Sequence, residues 1–168
     1  MISPAPPTGE WRTVFNSTTG EAEISWVRNT ALLCWPVEWI SKKPAPNVEG
    51  LHVTCAYIPD LMGTTKEQLL DTLRNTERRQ LGYNVVKVKW PDAFGPENNI
   101  PVLTVDLPDW WEYRDTVAAL DAAGILYDKS FPFNPHCTVD LPTVLNPPKR
   151  LIIRPLELWF RDDKPEVV

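Results

Sequence analysis

Short strand-like runs outnumber helical segments along this chain, and they do not alternate with helices in a regular βαβ order. Parallel strands need such crossover helices, whereas antiparallel strands can follow one another through short turns. We therefore predict an α+β fold built on largely antiparallel sheets. Proline is abundant at 18 residues and glycine is low at 7, which indicates rigid, directed loops between the strands.

The strand-like runs follow a Pro-rich start. We predict a tail over residues 1–10 and a single domain over residues 11–168, a length that suits one domain. The first two runs are predicted to form a hairpin around Ser17-Thr18-Thr19-Gly20. The predicted strands cover residues 11–15, 23–27, 30–36, 51–58, 86–90, 102–107, 135–141 and 151–160.

The first of two predicted helices begins at a capping box formed by Thr64 and Glu67. Gly82 is predicted to end it. Its apolar positions recur at helical spacing and are Leu69, Leu70, Leu73 and Leu81.

The second predicted helix begins at a similar cap, Asp109 with Glu112, and ends at Gly124. Its apolar stripe consists of Trp110, Tyr113, Val117 and Leu120. No segment repeats at the period of a solenoid.

Charge and composition exclude several classes of partner. The formal net charge of −5 argues against binding to long DNA or RNA, which needs many Lys and Arg on phosphates. No run approaches the roughly 20 apolar residues of a membrane span, and the first residues lack the features of a signal peptide. The odd number of cysteines, Cys34, Cys55 and Cys137, is typical of buried thiols in a reducing compartment, so we expect a cytoplasmic protein.

The only two histidines have matching contexts, because each begins a His-x-Thr triplet inside a predicted strand. The triplets are His52-Val53-Thr54 and His136-Cys137-Thr138. Side chains at positions i and i+2 of a strand lie on one face, roughly 7 Å apart. Each strand therefore presents an imidazole beside a hydroxyl, and the two pairs would line one cleft if the strands were neighbours.

This set of groups suits phosphoryl transfer without a metal. Imidazole exchanges its proton near neutral pH, so one neutral ring can act as the base and one protonated ring as the acid. Thr54 and Thr138 can donate hydrogen bonds to the non-bridging phosphate oxygens, whose charge grows in the transition state. A lone histidine would more simply be a core residue, but a repeated His-x-Thr context on strands favours the catalytic interpretation.

A zinc site made of His52, Cys55, His136 and Cys137 is the competing interpretation, because two Cys and two His form a familiar ligand set. The spacing disfavours it. On an extended strand His52 and Cys55 face opposite sides, and His136 and its neighbour Cys137 also face opposite sides. We therefore predict no metal and no cofactor.

Aromatic residues near the ends of predicted strands are candidates for stacking on a base, a contact worth about 1–3 kcal/mol. The candidate binding residues are Trp35, Tyr57, Trp90 and Trp159. Packing in the core or at its rim is the alternative for each. Lys42 and Lys43, in the Pro-rich linker before the first triplet, could attract phosphates or lie in a solvated loop.

The paired triplets and their flanks resemble the 2H phosphoesterase superfamily, which includes 2′,5′-RNA-ligase-like proteins and cyclic nucleotide phosphodiesterases. The resemblance covers about residues 30–162. It rests on residues 50–57 and 133–138 around the two triplets, on residues 31–34 as a leading strand, and on residues 150–160 as a closing one.

The resemblance implies two similar lobes of antiparallel sheet with flanking helices, related by an approximate twofold axis. It makes His52 and His136 the acid and base and makes Thr54 and Thr138 the holders of the phosphate. Cys137 departs from the pattern of the second motif, but its side chain is expected to point away from the cleft.

The sequence thus predicts a metal-independent phosphodiesterase acting on a small nucleotide or a cyclic oligonucleotide. The flanks most resemble phage-type members that destroy cyclic oligonucleotide signals of bacterial antiviral defence, the anti-CBASS group. Opening of RNA 2′,3′-cyclic phosphates is an alternative. A non-catalytic protein that sequesters a nucleotide, or a structural protein of the phage particle, is an alternative of another class.

Overall fold

A computed structural model describes most of the chain. The described residues are 9–15, 20, 22–28, 30–40, 51–94, 97, 99–107, 109–130, 132–139, 147–160 and 164–168. Most of the predicted tail, the turn at residues 17–19, the linker with Lys42 and Lys43, and the predicted strand end at Leu141 lie outside them. The backbone of Trp90 is described, but its side chain is not.

The described residues form an α+β fold of antiparallel strands and two helices, which confirms the predicted class. The strands are β1 (Gly9–Phe15), β2 (Ala22–Arg28), β3 (Ala31–Ile40), β4 (His52–Ile58), β5 (Val85–Phe94), β6 (Ile100–Asp106), β7 (His136–Thr138), β8 (Arg150–Ile153), β9 (Glu157–Phe160) and β10 (Glu166–Val167). The helices are α1 (Lys66–Arg74) and α2 (Trp111–Ala122), and neither has the length and hydropathy that a membrane-spanning helix needs.

The first two strands confirm the predicted hairpin, and β1 pairs with β2 in a sheet of its own. The other eight strands form a second sheet in the order β10-β9-β3-β8-β5-β6-β7, with β4 on the free side of β3. Along the path β4-β3-β8-β5-β6-β7 the end strands are β4 and β7, and parts of these two strands lie within 8 Å of each other at their Cα atoms. The sheet is therefore curled until its two ends meet.

The long strand β3 changes partner along its length. Residues up to Cys34 pair with β9, and residues from Val37 onward pair with β8. The predicted strand ended at Pro36, the last residue of the apolar run. The strand instead continues to Ile40, since Pro36 lies where the neighbour changes from β9 to β8. The predicted single strand over residues 151–160 is correspondingly two strands, β8 and β9, separated by Pro155.

Helix α1 begins one residue later than predicted and ends earlier. Its capping box is Thr65 with Gln68: the Thr65 Oγ1 accepts from the Gln68 N–H at 3.1 Å, and the Gln68 Oε1 accepts from the Thr65 N–H at 2.9 Å. The helix ends at the C-cap Asn75, so Leu81 is not part of it. Leu81 is nevertheless fully buried, because the loop after the helix returns it to the core.

Helix α2 lacks the predicted cap. Its N-cap is Trp110, whose side chain makes no capping bond, while Asp109 pairs with Arg114 at 3.0 Å. Gly124 follows the helix with φ of 71°, a conformation that favours glycine, as predicted for its end. The buried face consists of Glu112, Thr116, Ala119 and Leu120, so the helix is rotated from the predicted stripe. Leu120 of that stripe is buried, and its Trp110 and Tyr113 are partly buried against the core.

A buried carboxylate explains that rotation. Glu112 is 1% exposed, and its Oε1 accepts from the Trp35 Nε1–H at 2.7 Å and from the Leu81 N–H at 3.1 Å. Its Oε2 accepts from Arg78 Nη1 at 2.9 Å. A buried charge is stable only when it is paired and hydrogen-bonded, so these partners hold Glu112 on the inner face of α2.

The two helices cover one face of the curled sheet. The buried cluster joins leucines of α1 and α2 to Trp35, Val53, Leu103 and Cys137 on the strands. We call the opposite side of the sheet the helix-free face. Side chains alternate between the two faces along each strand. The residues immediately before and after each of these four positions therefore point to the helix-free face.

All three cysteines are buried thiols, as predicted. Burial is the first cause that raises the pKa of each thiol; it raises the pKa of Cys137 to about 12. For Cys34, the negative charge of Glu157 adds to the effect of burial. These thiols are protonated and unreactive near neutral pH.

Candidate active site

The first His-x-Thr triplet lies on β4, where the register with β3 sets its orientation. His52 is opposite Pro36, Val53 is opposite Trp35, and Thr54 is opposite Cys34. Opposite residues of an antiparallel pair point to the same face. Val53 and Trp35 point into the core, so His52 and Thr54 point to the helix-free face, where both are partly exposed.

A β-bulge follows the first triplet. The register moves from Cys34 opposite Thr54 to Leu33 opposite Ala56, which leaves Cys55 as the extra residue on β4. The alternation of faces therefore shifts by one after Cys55. As a result Tyr57, which would otherwise face the core, joins His52 and Thr54 on the helix-free face and is 42% exposed.

The second triplet lies on β7, which pairs with β6. His136 is opposite Thr104, Cys137 is opposite Leu103, and Thr138 is opposite Val102. Cys137 and Leu103 are both 0% exposed and belong to the core cluster. His136 and Thr138 therefore face the helix-free side, and the expectation that Cys137 points away from it agrees with this arrangement.

The curl of the sheet brings the two motif strands together. Parts of β4 and β7 lie within 8 Å at their Cα atoms, although they do not pair with each other. Both triplets direct their histidine and threonine to the helix-free face. Two imidazoles and two hydroxyls thus belong to one surface of the molecule, carried by neighbouring strands.

Trp159 on β9 contacts the first histidine. The ring centroids of His52 and Trp159 are 4.7 Å apart and the ring planes meet at 63°, an edge-to-face arrangement. The Trp159 Nε1–H donates to the Glu157 Oε1 at 3.0 Å. Because Glu157 is opposite Cys34, which is opposite Thr54, this carboxylate is in the same cross-strand row as the first threonine.

The second histidine is oriented by its own chain. His136 Nδ1 lies 2.6 Å from the carbonyl oxygen of Asn134. A carbonyl oxygen can only accept, so Nδ1 carries a hydrogen and donates it. The carbonyl of Asn134 therefore fixes the orientation of the His136 ring.

The other predicted binding residues have different environments. Trp35 is 0% exposed, bonded to Glu112 and packed on Trp110 with ring centroids 5.3 Å apart, so it offers no surface to a ligand. The prediction placed it at a cleft wall because it is near a strand end, but the alternation of β3 turns it inward. Trp90 is opposite Thr104 in register, and its side chain is outside the described part.

Within the described part of the chain, no three His, Cys, Asp or Glu side chains form a group that could hold a metal ion. The residues proposed for a zinc site are also divided by the sheet. Cys55 and Cys137 belong to the buried core cluster, while His52 and His136 are on the helix-free face.

Three residues next to the triplets were missed by the sequence interpretation. Thr104 is 8% exposed and opposite His136, Asn134 holds the ring of His136, and Glu157 accepts from Trp159. Thr104 had a signal, because it is the one hydroxyl inside the apolar run at residues 102–105. Asn134 and Glu157 had no such signal. Asn134 acts through its backbone carbonyl, and the contact of Glu157 with Trp159 follows no recognisable sequence pattern.

Comparison of the sequence with protein-family models finds no match, and comparison with curated proteins finds no relative. Function must therefore be inferred from the residues and their geometry.

Proposed function

We propose that the protein is a metal-independent phosphodiesterase that cleaves a small nucleotide, with a cyclic oligonucleotide signal as the first candidate substrate. The observation that supports this most is the placement of both His-x-Thr triplets on one face of neighbouring strands, β4 and β7. The finer description, a bilobal 2H phosphoesterase-like fold in the cytoplasm, is part of the same proposal.

The proposed chemistry uses one histidine as the base and the other as the acid. The neutral ring takes the proton from an attacking hydroxyl as its oxygen forms a bond to phosphorus. The bond from phosphorus to the leaving oxygen breaks, and the protonated ring gives its proton to that oxygen. Thr54 and Thr138 donate to the non-bridging oxygens and stabilise the charge that they gain.

Two nucleophiles suit the same residues. In the first mechanism a ribose 2′-OH attacks the adjacent 3′,5′-phosphodiester and leaves a 2′,3′-cyclic phosphate with a free 5′-OH. In the second, water attacks a 2′,3′-cyclic phosphate and opens it. The net charge of −5 favours a small substrate over long RNA, which binds through many basic residues.

The direct test is incubation with cyclic dinucleotides, cyclic trinucleotides and 2′,3′-cyclic mononucleotides in EDTA, with the products measured by mass. Water labelled with ¹⁸O separates the two mechanisms. Attack by the 2′-OH yields a cyclic phosphate without the label, whereas opening by water adds one labelled oxygen.

His52→Ala and His136→Ala provide the matched inactive controls, because neither ring is part of the buried core. Turnover that appears only after a divalent metal is added contradicts the two-histidine mechanism. Binding of a nucleotide with no product from any substrate favours the sequestering protein, and neither binding nor turnover favours a structural role.

A further inference from the structure

A cavity of about 380 Å³ lies between the end of β6 and the start of β7. This volume is in the range of small-molecule sites, roughly 300–1,000 Å³. Its lining combines Lys89 and Asp106 from the strands with Trp110, Phe133 and Asn134 from the connections before α2 and β7. The predicted function used none of these side chains.

The two aromatic rings that line this cavity, Trp110 and Phe133, pack on other rings. Phe133 stacks on Tyr113 with ring centroids 3.9 Å apart and an interplanar angle of 8°. Trp110 meets Phe133 edge-on at 5.5 Å and packs on the buried Trp35 at 5.3 Å. Rings fixed in this way offer a flat, apolar surface without a further loss of side-chain entropy, which favours a planar aromatic ligand.

The polar groups of the cavity select among planar ligands. Lys89 only donates hydrogen bonds, the Asp106 carboxylate only accepts them, and the Asn134 amide does both. Guanine has two adjacent donors, N1–H and the N2 amino group, and on its other edge the acceptors O6 and N7. Adenine has an acceptor at N1, which a carboxylate would repel.

The cavity adjoins the second triplet. Thr104 lines it and is opposite His136, and the backbone of Asn134, another lining residue, accepts from His136 Nδ1. A base held here would therefore lie next to the residues that flank His136. We propose that this cavity binds a guanine base of the substrate, with Asp106 and Lys89 reading its two edges.

This inference rests on the proposed phosphodiesterase function for the identity of the substrate, but its test does not need turnover. Calorimetric titration of the intact protein with guanosine, inosine, adenosine and ribose 5-phosphate measures recognition of the base directly. Guanosine is expected to bind about 10-fold tighter than adenosine, as a bidentate base contact provides. Inosine, which lacks the N2 amino group, should bind with an intermediate affinity.

Asp106→Asn and Lys89→Met are the informative variants, because both side chains are exposed and their loss leaves the core intact. Each should reduce the preference for guanosine over adenosine by about 3-fold, so that the two losses together account for the 10-fold preference. Lys164→Met is the matched control, since Lys164 is an exposed lysine just before β10 that does not line the cavity. Its preference should equal that of the wild type.

The two proposals fail in different ways. Equal affinity for all nucleosides, no binding of guanosine at millimolar concentration, or an unchanged preference in both variants overturns the guanine site, even if His52-dependent turnover is found. A guanosine preference that is reduced in Asp106→Asn supports the site even if no phosphodiester is cleaved, in which case the phosphodiesterase proposal alone is wrong.

Discussion

The two His-x-Thr strands have the same motif but are supported in different ways. β4 has seven residues, is paired along β3, and holds its histidine ring against Trp159, which is more than a hundred residues away in the chain. β7 has three residues, is paired with β6, and orients its histidine with the carbonyl of Asn134 two residues earlier. The first site depends on tertiary packing, and the second depends on local backbone.

This difference teaches that one short motif can acquire the same geometry in two ways. A long strand with close neighbours can use a distant aromatic ring to fix an imidazole. A short strand can instead use a backbone carbonyl of the segment that leads into it, as His136 does with Asn134. The two threonines differ in the same sense, because Thr54 is half-buried while Thr138 is exposed.

Replacing the histidines is expected to have the largest effect on turnover. If only one histidine proves necessary, the two strands are not equivalent in function. His52→Ala and His136→Ala should each reduce kcat by about 10²–10⁴, and the double variant should be little worse, because the two rings serve one transfer. The wild-type rate should follow a bell in pH, since one ring must be neutral and the other protonated. Wild-type turnover in either folded single variant would return that histidine to a packing role.

Replacing the threonines tests whether a more buried hydroxyl donor contributes more to the rate of turnover. Thr54→Ala and Thr138→Ala should slow turnover by about 10²–10³, with the larger loss at the half-buried Thr54, where water screens the contact less. Thr54→Ser and Thr138→Ser keep the hydroxyl and should recover most of the rate. Steady-state kinetics measures these rates. If all four variants turned over at the wild-type rate, the threonines would serve strand formation alone.

Trp159→Leu tests the support that is specific to the first strand, because the Trp159 ring packs on His52. Loss of one edge-to-face contact, worth about 0.5–1.5 kcal/mol, should lower kcat by about 2- to 10-fold. KM should change little if the ring positions His52, and it should rise if the ring mainly stacks on a base. Trp111→Leu on α2, whose Nε1–H donates to the Gln80 carbonyl, is the control and should leave both constants unchanged.

The smallest effect on activity is expected from the cysteines. The thiols of β4 and β7 should behave alike, because both are buried. Cys55 and Cys137 are buried, so iodoacetamide should modify them at pH 8 only after unfolding. The pKa of Cys137 is raised by burial to about 12, so an unfolded thiol ionises first, from about pH 8.5. The free energy of unfolding should therefore fall as the pH rises above about 8.5.

Urea denaturation at pH 7, 9 and 10 measures this fall. Its slope is on the order of 1 kcal/mol per pH unit for each such thiol. Cys137→Ala should make the slope shallower and leave kcat unchanged, because this side chain faces the core. A slope identical to that of the wild type would show that the thiol is not desolvated as described.

The extent of prediction from sequence differs between elements for physical reasons. The hairpin and the placement of His-x-Thr triplets on strands follow from local patterns, which the structure contains at the predicted positions. The cap of α2 was wrong, and its inner face was predicted only in part. Leu120 is buried and Trp110 and Tyr113 pack on the core, but a buried ion pair with Arg78 also turns Glu112 inward. The predicted end of the third strand at Pro36 was also wrong. Pro36 lies where the neighbouring strand changes from β9 to β8, so its missing N–H breaks no ladder bond there, and this depends on the tertiary structure.

The sequence by itself determined the class of fold, the four side chains proposed to react and the pairing of each histidine with a threonine on one strand face. These features depend on residue type and on a period of two, which act locally. Only the tertiary structure decided that β4 and β7 are neighbours, that Tyr57 turns outward after the bulge at Cys55, and that Trp159 reaches His52 while Trp35 is buried. These outcomes depend on the curl and register of the sheet, which are set by contacts between residues far apart in the chain.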